Sequence, residues 1–147
     1  ENVTKAMNTL QSQINTSITS FCYATIPVAL EMKEEVEEMR QVFAKRAAIM
    51  FELIQKWPDV ECAEPTGAFY AFPKISHYYA KTTPAGTVVE DSVSFVQALL
   101  DETGVAVVPG TDFGGCGPDH IRLSFACSEE QIERGVTRIC DWLRQIN

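Results

Sequence analysis

Between residues 31 and 57, apolar side chains recur at steps of three and four: Val36, Met39, Val42 or Phe43, Ala47, Met50, Leu53 or Ile54, and Trp57. That spacing lays one apolar stripe along a helix. At roughly 27 residues the predicted helix is about 40 Å long. Pro58 stops it, because proline cannot donate the next hydrogen bond. Glu31, Glu34, Glu35, Glu37 and Glu38 crowd its first turns, where the helix dipole favours anions. This acidic run reads as a solvated helix face rather than a metal or partner site. Residues 2–14 are mixed and polar, and are also predicted helical. Thr16 and Ser17 offer cap oxygens to a further helix over residues 18–30. Its apolar residues lie nearly all round, which predicts burial on more than one side, with a kink at Pro27.

Beyond the long helix the pattern shortens. Residues 60–64 and 68–72 are strand candidates around a Pro65-Thr66-Gly67 turn, as in a hairpin. One or two of Phe69, Tyr70 and Phe72 are expected in the core. Residues 76–89 show no periodicity and read as a surface loop. Asp91 or Ser92 can cap a helix over residues 93–102, with Phe95, Val96, Leu99 and Leu100 on its apolar face and Gly104 at its C-terminal cap. Strands are predicted over residues 105–108 and 121–126, on either side of a glycine-rich loop. Ser128 and Gln131 form a capping box for a last helix to about residue 145, with Ile132, Val136, Ile139, Cys140 and Leu143 inward. The predicted fold is α+β in two layers: a small sheet of about four strands covered by helices.

Composition narrows the partners. The chain has 147 residues, 46% hydrophobic and 22% charged, enough for one domain with a sizeable core. A formal net charge of −8 argues against nucleic acid and acidic membranes as partners. No apolar run approaches the roughly 20 residues that span a bilayer. Residues 1–10 lack the apolar centre of a signal peptide. The chain does not begin with Met, which suggests a fragment, a processed chain or a trimmed one. Its five cysteines are widely spaced, as expected of free thiols in a reducing, cytoplasmic setting. His77 and His120 are far apart and show no metal-ligand spacing, so no metal site is expected.

Chemistry concentrates in residues 104–126. Gly110, Gly114, Gly115 and Gly117 suggest a phosphate loop, but the segment leads into a strand and has no lysine. A tight connection is the better reading. Arg122 stands in the middle of the following strand. A guanidinium there needs a partner. One reading pairs it with Asp112 or Asp119; the other gives its two-pronged fork to a ligand carboxylate. Serine, histidine and aspartate are present without a nucleophile elbow or a triad context.

These segments resemble the class I/II pyridoxal-phosphate aminotransferases of fold type I, in the aspartate and aspartate/prephenate subgroup. Residues 65–73 (Pro-Thr-Gly-Ala-Phe-Tyr-Ala-Phe-Pro) look like that family's glycine-aromatic hairpin. Residues 104–110 with Phe113-Gly114 resemble its small-domain strand and loop, and Ile121-Arg122-Leu123-Ser124-Phe125-Ala126 its carboxylate-binding strand. Gln11-Ser12-Gln13 with Thr16-Ser17 resembles the entry to the last large-domain helices. The motifs keep the family's order over nearly the whole chain. The resemblance implies a homodimeric transaminase acting on an amino acid, aspartate by expectation, and a 2-oxo acid. It implies that Arg122 binds the substrate α-carboxylate and that Phe69 lines the substrate side. The family's Schiff-base lysine and its other cofactor contacts have no counterpart here. The resemblance therefore implies no catalytic and no cofactor-binding residue in this chain, with pyridoxal 5'-phosphate held by a missing large domain. Residues 1–30 would be a remnant of that domain and residues 31–147 the small domain, inactive alone. A C–S lyase or synthase on the same scaffold, or a stand-alone carboxylate-binding module, are the alternatives.

Overall fold

The computed structural model describes residues 1–147. The chain divides into two compact units, Glu1–Arg40 and Gln41–Asn147, and helix α4 (Lys33–Ile54) runs through the division. At 22 residues α4 is about 33 Å long, shorter than its periodicity predicts. It starts only at Lys33, after a break at Met32, and ends at Ile54, ahead of Pro58.

The first unit contains α1 (Asn2–Ile14), α2 (Ser20–Tyr23) and α3 (Thr25–Glu31), none of which buries a residue. Val3, Met7, Leu10 and Ile14 follow steps of four, three and four. They form an apolar stripe along α1 that is 62–73% exposed. The helix expected over residues 18–30 is instead two short ones, and it is not buried: Phe21 is 75% and Leu30 74% exposed. A unit of 40 residues offers too little surface for a core of its own. The break falls at Ala24, not at Pro27. Pro27 is the third residue of α3, in the first turn, where a missing N–H leaves no bond unmade. Thr16 and Ser17 do not cap. Thr19 takes the N-cap position without a side-chain bond, and Thr16 adopts a φ of 55° with its hydroxyl donating to the Asn15 carbonyl.

The second unit is built around one core. Met50 and Ile54 from α4, Phe95 and Leu99 from α5 (Ser92–Thr103), and Ile132, Val136, Ile139 and Leu143 from α6 (Glu129–Leu143) join the inward side chains of the sheet. The two later helices start as their sequences require. Asp91 accepts from the Val93 and Ser94 amides, and Ser128 from the Gln131 amide, each in a capping box. Gly104 closes α5 at φ 70°, a left-handed conformation that glycine adopts without strain.

The sheet has three antiparallel strands in the order β1-β3-β2: β1 is Tyr70–Ala71, β2 Val108–Pro109 and β3 Ile121–Ser124. Tyr70 lies opposite Ser124, Ala71 opposite Leu123, and Val108 opposite Arg122. Pro109 is tolerated because β2 is an edge strand. The strand expected over residues 60–64 reduces to one bridge, Glu61 with Lys74. It lies between Pro58 and Pro65, with only Val60 and Cys62 partly covered, and is too short to hold a ladder.

Residues 76–89 are not a surface loop. Tyr78, Thr83 and Val89 are buried. Tyr78 donates to the Pro58 carbonyl, and burial pushes its phenol up to about 12, so it keeps the proton it donates. Glu102 of α5 accepts from Thr83 Oγ1 at 2.6 Å and from Trp142 Nε1 at 2.9 Å, tying the segment to two helices. The glycine segment is set by close backbone approach. A Cβ on Gly110 would stand 2.1 Å from the Gly117 carbonyl oxygen, and one on Gly117 1.8 Å from that of Gly110.

Candidate functional site

β3 alternates. Ile121, Leu123 and Phe125 are buried, while Arg122 is partly exposed and Ser124 is exposed. Arg122 therefore belongs to the outward face, and its charge is not sunk in the core. Strand register decides its surroundings. Tyr70, opposite Ser124, is the diagonal neighbour of Arg122 on the same face.

The guanidinium is held between two rings. Its central carbon lies 4.2 Å from the Tyr70 ring centroid and 4.2 Å from that of Phe113. Phe113 ends the 3-10 turn Gly110–Phe113 that leaves β2. Both rings offer negative π faces to the cation. Neither Asp112 nor Asp119 pairs with Arg122; Asp119 is 3.9 Å from Lys74 Nζ instead. Both contacts are made by ring faces, and the side chains around the guanidinium are aromatic rather than acidic.

The rings continue on both sides. Phe113 meets Phe72 edge to face at 5.9 Å, and Phe72 stacks on His120 at 4.8 Å with the planes 4° apart. On the other side, Tyr70 is 4.3 Å from Phe69, which is 6.1 Å from Phe43. Of the two residues expected at the site, Arg122 is at the centre of this arc and Phe69, 39% exposed, lies one ring further out. Tyr70 is the ring they share. The core-facing residue of β1 is Ala71, so the expectation that one or two of Phe69, Tyr70 and Phe72 sit in the core is corrected: Phe69 is exposed, and Tyr70 and Phe72 are only partly covered. Sequence reasoning did not assign Tyr70 or Phe113 to Arg122. A strict two-residue alternation in residues 69–72 and 121–125 would have put Tyr70 on the face of Arg122; nothing local marks Phe113.

The lysines are engaged elsewhere. Lys45 is 2.8 Å from Glu129, Lys56 3.0 Å from Glu52, and Lys81 2.8 Å from His77 Nε2, while Lys5 and Lys33 belong to the first unit. Within the second unit the arc offers a guanidinium but no amine beside it, and these residues do not by themselves fit a pyridoxal phosphate site. A cleft of about 520 Å³ lined by Trp57, Asp59, Val60, Glu61, Lys74, Ser76 and His77 shares no residue with the arc. Its basic side chains already face partners, Lys74 near Asp119 and the His77 ring near Asp59 at 3.4 Å, which makes it the weaker candidate. The five cysteines are free thiols.

Residues 1–139 match the family described as Aminotransferase class I and II. The aspartate aminotransferase of Geobacillus stearothermophilus is 40% identical over 140 residues, 95% of this chain and 34% of that protein. The probable aspartate/prephenate aminotransferase of Rhizobium leguminosarum bv. phaseoli is 35% identical over 136 residues, again 34% of its length. Among solved structures, an aspartate aminotransferase from Rhizobium meliloti superposes with a TM-score of 0.89 at 30% identity, covering 97% of this chain and 36% of that one. One from Thermotoga maritima superposes at 0.77 and 33% identity, covering 97% of this chain and 33% of that one. The chain spans about a third of the length of the relatives it matches.

Proposed function

Since the chain belongs to the class I and II aminotransferase family, we propose that it is the C-terminal part of an enzyme that moves an amino group between an amino acid and a 2-oxo acid. Aspartate is the proposed donor, because several similar proteins carry aspartate aminotransferase as their name. The family implies pyridoxal 5'-phosphate, and we assign its binding to the part of the protein outside these 147 residues. Residues 1–30 would be the last helices of that larger domain and residues 31–147 the small domain. The exposed apolar side chains of residues 1–30 support this assignment, since they call for cover from elsewhere. The complete enzyme is proposed to be a cytoplasmic homodimer.

In this reading Arg122 holds the substrate α-carboxylate through two parallel hydrogen bonds, and Phe69 lines the substrate side of the site. The observation that carries it is a guanidinium on the outward face with aromatic rings on both sides and no protein carboxylate paired to it. In the full-length enzyme, Arg122→Lys should lower kcat/KM by about 100-fold or more, because a point charge cannot replace a planar fork. Near-normal kinetics would refute the role. The 147-residue chain alone should not bind the cofactor. A saturable change in pyridoxal phosphate absorbance on titration with it would overturn that part.

A further inference from the structure

We propose that Tyr70 and Phe113 are positioning residues that fix the plane of the Arg122 guanidinium, so that its N–H edge is set for a substrate carboxylate before the substrate arrives. This rests on the reading that Arg122 binds that carboxylate. An arginine side chain is long and loses rotamer freedom when it is fixed on a ligand. Two rings at 4.2 Å each restrain the guanidinium, so part of that cost is met in the free protein. The two rings come from opposite neighbours of β3, Tyr70 from β1 and Phe113 from the turn after β2, so the cation is restrained from two separate elements.

Each ring is placed by its own support. Tyr70 is fixed by strand pairing to β3. Phe113 is fixed outside the core. Its 3-10 turn is framed by the Gly110–Gly117 backbone approach, and its ring rests edge-on against Phe72, which His120 backs by stacking. Phe113 is 41% exposed and makes no part of the buried core. Its exposed ring is therefore explained by what it does to Arg122 rather than by packing. Loss of either ring should weaken carboxylate binding in ground state and transition state alike, which raises KM and leaves kcat nearly unmoved.

The test is made in the full-length holoenzyme with L-aspartate as donor. Phe113→Leu removes the π face and keeps an apolar side chain; Phe113→Tyr restores the face. Tyr70→Leu and Tyr70→Phe are the matching pair. We expect each leucine variant to raise KM about 5- to 10-fold, the range of a partly desolvated cation–π contact, with kcat within about 2-fold. The ring-keeping variants should return most of the loss. The proposal is overturned if KM is unmoved in Phe113→Leu, or if Phe113→Tyr is as impaired as Phe113→Leu. Because Phe113 is exposed, its pair decides the matter even if Tyr70→Leu misfolds. Arg122→Lys is assayed alongside. If it is impaired while the leucine variants are not, the clamp fails and the carboxylate role stands; if it is unimpaired, the carboxylate role itself fails.

Discussion

Along β3 and the residue that follows it, Ile121, Leu123 and Phe125 point inward and are buried almost completely, while Arg122, one residue from two of them, is partly exposed and has rings rather than carboxylates around it. The inward side chains meet α4, α5 and α6 in one core. They need volume and shape, and any apolar group of the right size serves most of that need. The outward residue needs direction: a planar cation is useful only if its edge faces the right way. Neighbouring residues of one short segment thus answer to two separate requirements, and substitutions should separate stability from binding according to the face they strike.

The strongest way to break this comparison is on the inward side. Phe125→Ala in the 147-residue chain should cost about 3–5 kcal/mol, from lost burial plus the cavity left behind, measured by urea denaturation. A loss below about 1 kcal/mol would mean that the inward face is not what holds the sheet. Asp91 gives a reference on neither face. Hydrogen bonds from the Ser94 amide and hydroxyl, with the Val93 amide, hold its carboxyl below the ordinary value. A lowered folded-state pKa adds stability above the unfolded value of about 3.9, and that stability is lost as pH falls through the folded-state pKa. Asp91→Ala should therefore cost about 1 kcal/mol at pH 7 and progressively less below about pH 4. A cost independent of pH would show that the cap works without its charge. The smallest effect is expected from Arg122→Lys: less than about 1 kcal/mol of stability, since a lysine can still reach a ring face. A larger loss in that variant would mean that the outward face also holds the fold together.

The parts of this fold that were legible from the sequence are those with local causes. α5 and α6 begin where their capping residues stand, and the inward list for α6 holds residue by residue, although Trp142 was not on it. The later half of α4 was legible from its stripe. Its earlier half shares the stripe, yet Val36, Met39 and Val42 are about half exposed. Periodicity shows which side is apolar, and it is silent on whether anything covers that side. Residues 76–89 escaped for the opposite reason. Their burial comes from distant partners, Pro58 for Tyr78, Glu102 for Thr83 and Asn147 for Thr82, and leaves no period in the segment itself. At the site, Arg122 was legible as a charge in want of a partner, and the resemblance named a ligand carboxylate as that partner. The bridge to Asp112 or Asp119, the other reading of Arg122, is absent, and the two rings beside it arrive from β1 and from the turn after β2. Only strand register and chain reversal bring those together.

The abutting backbones of Gly110 and Gly117 reach further than their own turn. Each faces a carbonyl at a distance that admits no side-chain carbon, and the obstacle is main chain, which cannot swing aside. In a library randomised over residues 110–117 and sorted only for folding, these two positions would return glycine and little else. Gly115, which has open space around it, would drift freely. The contour that presents Phe113 is therefore closed to gradual adjustment. Selection can exchange the ring that this turn displays, but it cannot re-aim the turn one substitution at a time.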